Sequence, residues 1–265
     1  MISHLADPMK TPWSQNFLAN RSVAERCVRA LELDGKEPVL EIGPGRGVLT
    51  EILLDSSPAL FAVEIDPRMV EFLREKFAGE RRLTLLCSDF LDVPAADLPP
   101  GPGLKVIGNL PYAVVSPILQ KLLAWPAWSA AVVMVQKEVG RRILSGPGSR
   151  EYGILAISVR SRAKAEKVCD VNRGSFRPAP NVDSMVLRLT PLPRPVYEPE
   201  MEEKFFAAVR GSFAHRRKTI QNSLARHLEI PPERIRKAFT AAGLDPEARA
   251  ETFSVEAFKR ISEIL

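Results

Sequence analysis

The sequence predicts an α/β protein with a mostly parallel, doubly wound sheet and a small all-helical domain at the C-terminal end. Between Pro38 and Val135, short apolar runs alternate with segments in which apolar residues recur at helical spacing. After a further apolar run at Val186–Leu189 the chain becomes rich in proline, and only helical patterns follow. A length of 265 residues suits one large domain and a smaller one. We therefore predict domains at residues 1–190 and 191–265.

The predicted strands are short apolar runs, and helical patterns lie between several of them. The strands are Val39–Ile42, Leu60–Glu64, Leu83–Leu86, Leu104–Ile107 and Ala130–Val135. The helices between them are Val48–Leu54, Arg68–Phe77 and Val114–Ala124. Such units have right-handed crossovers and parallel strands. Ahead of the sheet, Asn20 is expected to cap a helix that runs to about Leu33. The apolar face of that helix holds Val23, Cys27, Ala30 and Leu31.

Four short helices are predicted in the second domain. They are Glu202–Ser212, Lys218–His227, Glu233–Ala241 and Val255–Ile264. Gly243 follows the third helix as a stop signal, and Ser254 precedes the fourth as an N-cap.

The composition is that of an ordinary globular protein, with 45% hydrophobic and 26% charged residues. No apolar stretch approaches the roughly 20 residues of a membrane helix, and the N-terminus lacks the hydrophobic region of a signal peptide. We expect a cytoplasmic protein without membrane contact. Cys27, Cys87 and Cys169 have neither the number nor the spacing of a disulfide framework or a zinc site. The net charge of +5 is compatible with a polyanionic partner but does not establish one.

A glycine-rich segment, Glu41 to Gly47, joins the first predicted strand to the following helix. Glycines in this context let a ligand approach the backbone closely. A nicotinamide-binding loop has the spacing GxGxxG, whereas Gly43, Gly45 and Gly47 fall as GxGxG and position 48 is valine. This spacing favours a methyltransferase loop over a nicotinamide site. The alternative is a glycine turn with no ligand.

Acidic residues stand at the ends of the next two strands. Glu64 ends the second strand, where a carboxylate accepts hydrogen bonds from ribose hydroxyls of a nucleoside cofactor. Asp89 follows the third strand, where it is placed to accept from an adenine amino group, with Phe90 as a packing surface. Taken singly, each is also explained as a strand-end acid or a turn residue. Together with the glycine loop they predict a nucleoside-containing cofactor, because ligands of open α/β sheets bind beyond the carboxyl ends of the strands.

The segment Gly108-Asn-Leu-Pro-Tyr112 follows the fourth predicted strand and is the most specific chemical signal in the sequence. The lone pair of an adenine N6 amine is delocalised into the ring, so an enzyme that methylates it must turn that lone pair toward the electrophile. The Asn109 side-chain oxygen and a backbone carbonyl near Leu110 or Pro111 are acceptors for the two N6 protons. Proline stiffens the loop, and Tyr112 is placed to stack on the base. The alternative is a turn with a capping Asn and a core Tyr.

Six segments in this order resemble the ribosomal RNA adenine N6,N6-dimethyltransferases of the KsgA (RsmA) type. They are Gln15 to Leu18, Glu41 to Gly47, Glu64 to Asp66, Ser88 to Phe90, Asn109 to Tyr112 and Phe176 to Ser184. Arg210 to Phe213 and Arg216 to Leu224 extend the resemblance over nearly the whole chain. One departure is Ser14, where the family usually has glycine.

The resemblance implies a class I S-adenosylmethionine-dependent methyltransferase that acts during ribosome maturation. Its implied substrate is a pair of adjacent adenosines in the hairpin loop near the 3′ end of 16S small-subunit ribosomal RNA, in the immature 30S subunit. The methyl donor is S-adenosylmethionine, no metal is expected, and the protein is expected to be a monomer. The implied cofactor-binding residues are Asn16, Leu18, Gly43, Gly45, Glu64, Asp89 and Asn109. The implied catalytic residues are Asn109, Leu110, Pro111, Tyr112 and Phe176.

Phe176 is implied to face the target adenine, and with Tyr112 it would sandwich an unstacked base. The alternative is that Phe176 is a core anchor between the domains. Basic residues predict the RNA contacts: Arg210, Arg216, Arg217 and Lys218, with Arg141, Arg142 and Arg150 extending the same surface. The alternative for these is a solvated basic face.

Three other functions fit parts of the pattern. A resistance methyltransferase that acts on large-subunit RNA shares the catalytic motifs and differs in the C-terminal domain. A non-catalytic RNA-binding assembly or transcription factor would not need an intact Asn109 to Tyr112 segment. A nicotinamide oxidoreductase needs the GxGxxG spacing, which is absent.

Overall fold

A computed structural model describes residues 16–99, 103–125, 127–215 and 217–265, and within them the chain forms a seven-stranded sheet and a two-stranded ladder. The strands are β1 (Phe17–Leu18), β2 (Val39–Ile42), β3 (Leu60–Glu64), β4 (Leu83–Cys87), β5 (Leu104–Asn109), β6 (Trp128–Gln136), β7 (Ala163–Val171), β8 (Phe176–Arg177) and β9 (Ser184–Pro191). Ser14, Gln15 and Arg216 lie outside the described residues.

The sheet has the strand order β4-β3-β2-β5-β6-β9-β7. The first five strands run parallel to one another, and β9 pairs antiparallel with both β6 and β7. The predicted mostly parallel sheet is confirmed. β5 runs two residues further than predicted, so Gly108 and Asn109 belong to the strand, where Asn109 lies opposite Met134 of β6. The ladder of β1 with β8 and the long strand β7 were not predicted.

Helices cover both faces of the sheet. They are α1 (Arg21–Arg29), α2 (Val48–Leu54), α3 (Pro67–Lys76), α4 (Val115–Ala124), α5 (Lys137–Leu144) and α6 (Ile154–Arg160). Asn20 caps α1 as predicted, accepting from the backbone N–H of Val23 at 3.3 Å. The helix ends at Arg29 rather than near Leu33, and Glu32 has a positive φ that helical backbone excludes. Neither α5 nor α6 was predicted.

The C-terminal region is helical as predicted, with α7 (Glu202–Phe213), α8 (Ile220–Leu228), α9 (Pro232–Ala241) and α10 (Val255–Ile264). Ser254 caps α10 by accepting from Ala257 N–H at 3.2 Å. The prediction that α8 begins at Lys218 is wrong: the N–H of Lys218 donates to the carbonyl of His215 in a turn, and the helix starts at Ile220.

The core of the helical region includes three residues from before the predicted boundary at residue 191. Tyr152, Ala156 and Ile157 pack in one buried cluster with residues of α7, α8, α9 and α10. Two backbone hydrogen bonds add to this junction, from Leu192 N–H to the Arg162 carbonyl at 2.8 Å and from Val196 N–H to the Ser161 carbonyl at 2.9 Å. The division into two domains stays a prediction, and the helical region is packed directly on α6.

Within the part of the chain that the structure describes, no helix is long and apolar enough to cross a membrane. Cys27, Cys87 and Cys169 are free thiols, of which only Cys87 is exposed.

Candidate active site

The predicted site residues meet at the carboxyl edge of the sheet. The glycine loop follows β2, Glu64 ends β3, Asp89 follows β4 and Asn109 ends β5. The loops are tied to their neighbours, since Gly43 N–H donates to the Val63 carbonyl at 2.9 Å and Ser88 N–H donates to the Glu64 carbonyl at 3.0 Å. The parallel sheet therefore brings together groups that are far apart in the sequence.

The glycine loop lies directly against the N-terminal strand β1. Gly45 has a φ of +54°, and a Cβ at that position would lie 2.7 Å from Cδ1 of Phe17. The Arg46 guanidinium carbon is 5.0 Å from the centre of the same Phe17 ring. A cavity of about 30 Å³ remains here, lined by Phe17, Leu18, Gly43, Pro44, Gly45, Arg46, Val48, Leu49 and Asn109. Pockets for small ligands have roughly 300–1,000 Å³, so this cavity as it stands is much smaller than a nucleoside cofactor requires.

Glu64 joins the end of β3 to the glycine loop. Its Oε2 accepts from Gly45 N–H at 3.0 Å, and its Oε1 accepts from Asp66 N–H at 3.0 Å. The side chain is 3% exposed, and burial raises the pKa of its carboxyl group. Because a carboxylate oxygen has two acceptor sites, both oxygens retain capacity for a ligand hydroxyl. The residue fits the predicted ribose contact and also stabilises the loop without a ligand.

Glu41 is a buried acid that the sequence reasoning did not single out as a site residue. It is 0% exposed; Oε2 accepts from the Thr50 hydroxyl at 2.7 Å, and Oε1 has no partner among the described residues. Burial raises the pKa of Glu41 to about 7, and the nearby Glu64 carboxylate adds to that effect. A signal was present in the sequence, since Glu41 is a charged residue inside an apolar strand immediately before the glycine loop. An unpaired acceptor here suits a cationic or N–H-bearing ligand group.

Asp89 shapes the turn after β4. Its Oδ1 accepts from Leu91 N–H at 2.8 Å, and its backbone carbonyl accepts from Asp92 N–H at 2.9 Å. Within the described part of the chain the second carboxylate oxygen has no hydrogen-bond donor, so it can accept from a ligand amine. The prediction that Phe90 offers a packing surface is wrong in this structure, because its ring is 4% exposed and belongs to the core.

The side chain of Asn109 is oriented by the N-terminal segment. Its Nδ2 donates to the backbone carbonyl of Asn16 at 3.0 Å. A carbonyl can only accept, so this contact turns the amide nitrogen toward Asn16 and the amide oxygen away from it. Gly108 lets the strand approach β2, since a Cβ there would lie 2.7 Å from the Ile42 carbonyl oxygen.

The backbone carbonyls of Leu110 and Pro111 are the two candidates for the second acceptor of an N6 proton, and their hydrogen bonds differ. Leu110 is buried, and its N–H donates to the Met134 carbonyl at 3.0 Å. The carbonyl of Pro111 accepts from Val114 N–H at 3.1 Å, whereas no described backbone N–H outside the regular helices and strands donates to the Leu110 carbonyl. The geometry therefore favours Leu110 as the second acceptor.

Phe176 and Tyr112 do not form an open sandwich in this structure. Phe176 is 0% exposed, and β8 pairs with β1 so that Phe176 lies opposite Leu18. Its ring belongs to a buried cluster on one face of the sheet. The Tyr112 hydroxyl is 2.9 Å from Oγ of Ser184. Pairing and packing cover the ring in this conformation, and the contact of Phe176 with a base stays a prediction.

Basic residues form an exposed surface around the C-terminal end of α7. Arg210, Arg217 and Lys218 are exposed, and none forms an ion pair with another described residue. A cleft of about 570 Å³ opens between α7 and the part of the chain from Glu138 to Ile154. It is lined by Glu138, Arg142, Arg150, Glu151, Tyr152, Gly153, Ile154 and Phe213. Two of the predicted basic residues thus share one concave surface with a residue of the helical region.

Metal ligands were not predicted. Across residues 16–99, 103–125, 127–215 and 217–265, no group of three or more His, Cys, Asp or Glu side chains is arranged to hold a metal ion.

A family model described as ribosomal RNA adenine dimethylase matches residues 6–265. Curated relatives named ribosomal RNA small subunit methyltransferase A are also similar. The protein from Geobacter sulfurreducens is 40% identical over 257 residues, which cover 94% of this chain and 92% of the relative. The protein from Bacillus mycoides is 40% identical over 266 residues, which cover 97% of this chain and 91% of the relative.

Two solved structures share the fold over nearly the whole chain. A dimethyladenosine transferase from Plasmodium falciparum has a TM-score of 0.78 and 26% identity, covering 92% of this chain and 95% of the other. The 23S rRNA methyltransferase ErmE has a TM-score of 0.71 and 32% identity, covering 94% of this chain and 99% of the other.

Proposed function

The chain belongs to the ribosomal RNA adenine dimethylase family, and on that premise we propose that it dimethylates the N6 amines of two adjacent adenosines in the 3′-terminal hairpin loop of 16S ribosomal RNA. The sheet and its helices form the class I S-adenosylmethionine-dependent methyltransferase fold. One observation carries the proposal. Asn109 is held at the end of β5 with its amide oxygen turned away from Asn16, beside a glycine loop and two strand-end acids.

S-adenosylmethionine supplies an electrophilic sulfonium methyl group to this site. The residues that would hold it are Asn16, Leu18, Gly43, Gly45, Glu64 and Asp89. The fit is supported by the unpaired Oε1 of buried Glu41, by the close approach at Gly45 and by the free acceptor capacity of Glu64. No metal is required for this chemistry.

Asn109 and Leu110 would activate the adenine amine. The Asn109 amide oxygen accepts one N6 proton and the Leu110 carbonyl accepts the other, which turns the nitrogen lone pair out of the ring plane toward the methyl group. Both acceptors also stabilise the positive charge that develops on the nitrogen. A monomethylated amine carries one N6 proton, so the second transfer proceeds with one hydrogen bond fewer. The proton released in each transfer leaves to solvent.

Tyr112 would stack on the extruded adenine, and Pro111 would keep the loop stiff. Phe176 would reach the other face of the base only after its ring leaves the buried cluster that it shares with Leu18 of β1. A movement of Phe17 would also enlarge the small cavity over the glycine loop. We infer that one displacement of the N-terminal segment opens both the cofactor and the adenine sites.

Arg210, Arg216, Arg217 and Lys218 are proposed to contact RNA phosphates, with Arg142 and Arg150 in the neighbouring cleft. The proposed partner is the immature 30S subunit, bound by a monomer in the cytoplasm. Positive charge of this kind positions RNA without reading its sequence.

Two rival functions are less well supported. The likeness to ErmE, at 32% identity, is lower than the 40% identity to curated small-subunit enzymes. A non-catalytic factor would not need Asn109 oriented for an acceptor role.

The test is methyl transfer from labelled S-adenosylmethionine to immature small subunits, mature small subunits and large-subunit RNA, followed by nucleoside analysis. We expect N6,N6-dimethyladenosine in immature small subunits alone. Label confined to large-subunit RNA would reassign the substrate. Cofactor binding without label in any substrate would instead support an assembly factor.

A further inference from the structure

Lys121 on α4 is bonded to the loop that carries Asp89. Its Nζ donates to the carbonyls of Phe90 at 2.6 Å, Leu91 at 2.8 Å and Val93 at 2.5 Å. An ammonium group has three donors, so one loop satisfies all of them. Lys121 forms no salt bridge with a carboxylate of the described residues, which is unusual for a half-buried lysine.

The same loop residues connect Lys121 to Asp89. Leu91 donates its N–H to Oδ1 of Asp89 at 2.8 Å, and its carbonyl accepts from Lys121. The two peptide groups that flank Leu91 are thus bonded to the Asp89 carboxylate and to the Lys121 ammonium group. The ammonium nitrogen also lies 5.1 Å from the centre of the Phe90 ring.

We propose that Lys121 is a positioning residue that holds the Ser88–Val93 loop, and with it Asp89, in the conformation that binds the adenine end of S-adenosylmethionine. This inference rests on the proposed function for the identity of the ligand. It adds a residue on a helix that the sequence motifs do not include. Lys121 touches neither cofactor nor RNA and acts through the loop.

Apolar burial is the competing explanation for the fixed loop. Phe90 and Val93 are 4% and 3% exposed, so their side chains anchor the loop in the core without help from the lysine. If burial alone set the conformation, a methionine at position 121 would serve equally well. Burial fixes two side chains, however, whereas the three hydrogen bonds fix the peptide planes that orient Asp89.

The experiment compares Lys121→Met, which keeps the length and removes the donors, with Lys121→Arg, which keeps charge and donors. Titration calorimetry measures S-adenosylmethionine affinity, and hydrogen exchange on the cofactor-free protein follows the amides of Leu91 and Asp92. For Lys121→Met we expect about tenfold weaker binding, as from the loss of roughly one charge-assisted hydrogen bond, and faster exchange of both amides. The value of kcat at saturating cofactor should stay within about twofold. Lys121→Arg should recover most of the affinity.

Trp128→Phe is the matched control, since it removes the indole hydrogen bond to the Leu122 carbonyl at 2.7 Å on the same helix and leaves the three hydrogen bonds of Lys121 in place. It should lower the melting temperature while leaving the affinity unchanged. Unchanged affinity and exchange in Lys121→Met would overturn the proposal, as would an equal loss of affinity in Trp128→Phe. If Lys121→Met does not fold, Lys121→Leu, which also lacks donors, replaces it with the same expectations. Absence of S-adenosylmethionine binding by the unmodified protein would count against the proposed function, whereas the exchange measurement still tests the loop.

Discussion

The side-chain amide of Asn109 is bonded to the backbone of Asn16, with 3.0 Å between Nδ2 and the carbonyl oxygen. The two residues are far apart in the chain, and the contact joins the end of β5 to the segment just before β1. It gives the amide oxygen a fixed direction before any substrate binds. Preorganised acceptors of this kind stabilise a developing charge without reorganisation during the reaction.

Asn109→Ala should therefore affect turnover far more than cofactor binding. We expect kcat to fall by about 10²–10³, the range seen when one preorganised electrostatic interaction is removed, because the N6 lone pair is no longer oriented. Single-turnover methyl transfer measures the effect. S-adenosylmethionine affinity within a few-fold of the unmodified protein is the accompanying expectation, and retained turnover would contradict the mechanism.

Glu64→Gln should weaken both the fold and the cofactor site. The N–H groups of Gly45 and Asp66 each donate a hydrogen bond to one carboxylate oxygen of Glu64. In glutamine an NH₂ group replaces one of these oxygens, so one of the two N–H groups would face another donor. Loss of one buried hydrogen bond of this kind costs about 1–3 kcal/mol of unfolding free energy, measurable by urea titration. We also expect S-adenosylmethionine affinity to fall by at least about tenfold, since the substitution weakens the ribose hydrogen bonds and also alters the loop geometry.

Asp66→Asn is a control for Glu64→Gln. Asp66 accepts from Nε and Nη2 of Arg68, each at 3.0 Å, and asparagine would lose this ion pair while keeping the N-cap acceptor of α3, so the substitution affects stability next to the site. Affinity should then change less than in Glu64→Gln. Equal losses of affinity in the two variants would show that Glu64 acts through stability alone.

Glu41 should make the cofactor-free protein less stable as the pH rises. Its pKa is about 7 in the folded protein against an ordinary 4.5, so between these values the folded state binds more protons than the unfolded state. The stabilisation is complete below about pH 4.5 and is lost as the pH rises through about 7, by about 3 kcal/mol in total. Urea unfolding of the unmodified protein and of Glu41→Gln across this range should show the difference.

Thr50 gives a second test of the same effect. Its hydroxyl donates to Glu41 and lowers the pKa of that carboxyl group. Thr50→Val should therefore extend the loss of stability to higher pH. If the free energy of unfolding changes with pH in the same way in the unmodified protein and in Glu41→Gln, the assignment to Glu41 is refuted.

Gly108→Ala should destabilise the sheet beneath Asn109. The added Cβ would lie 2.7 Å from the backbone oxygen of Ile42, so β2 and β5 would have to separate. Overpacking of this kind costs about 1–3 kcal/mol, and we expect lower turnover because Asn109 moves with the strand. Gly146→Ala is the matched control, since the nearest atom to its Cβ would be 3.9 Å away. Calorimetric melting temperatures that fall equally in both variants would contradict this account.

Arg217→Ala combined with Lys218→Ala should weaken binding to the immature small subunit and reduce its salt dependence. Removing one phosphate-binding cation lowers the slope of log K against log salt by about 0.7–0.9. Filter binding at several salt concentrations measures the slope. Lys36→Ala is the control, because Lys36 is exposed just ahead of β2, at the amino ends of the parallel strands, whereas the candidate site lies at their carboxyl ends. An unchanged slope in the double variant would remove these residues from the RNA interface.

Composition and periodicity were enough to predict the parallel sheet, the helical C-terminal region and the strand ends at which most candidate site residues lie. Short apolar strands such as Leu60–Glu64 are recognisable because their burial requires continuous apolar composition. Glu64, Asp89 and Asn109 were found because the end of a parallel strand fixes where a polar residue must lie. The glycine spacing was informative for a different reason: Gly45 has a positive φ, a backbone conformation that favours glycine.

Only the folded arrangement of the chain shows which side chains are buried and which meet at the carboxyl edge of the sheet. The pairing of β1 with β8, which covers Phe176, joins segments too short and too distant in sequence to leave a periodic signal. The unpaired oxygen of Glu41 and the three bonds of Lys121 depend on which side chains meet across elements. Hydrogen bonds of this kind are directional and form between distant residues, so composition and periodicity do not encode them.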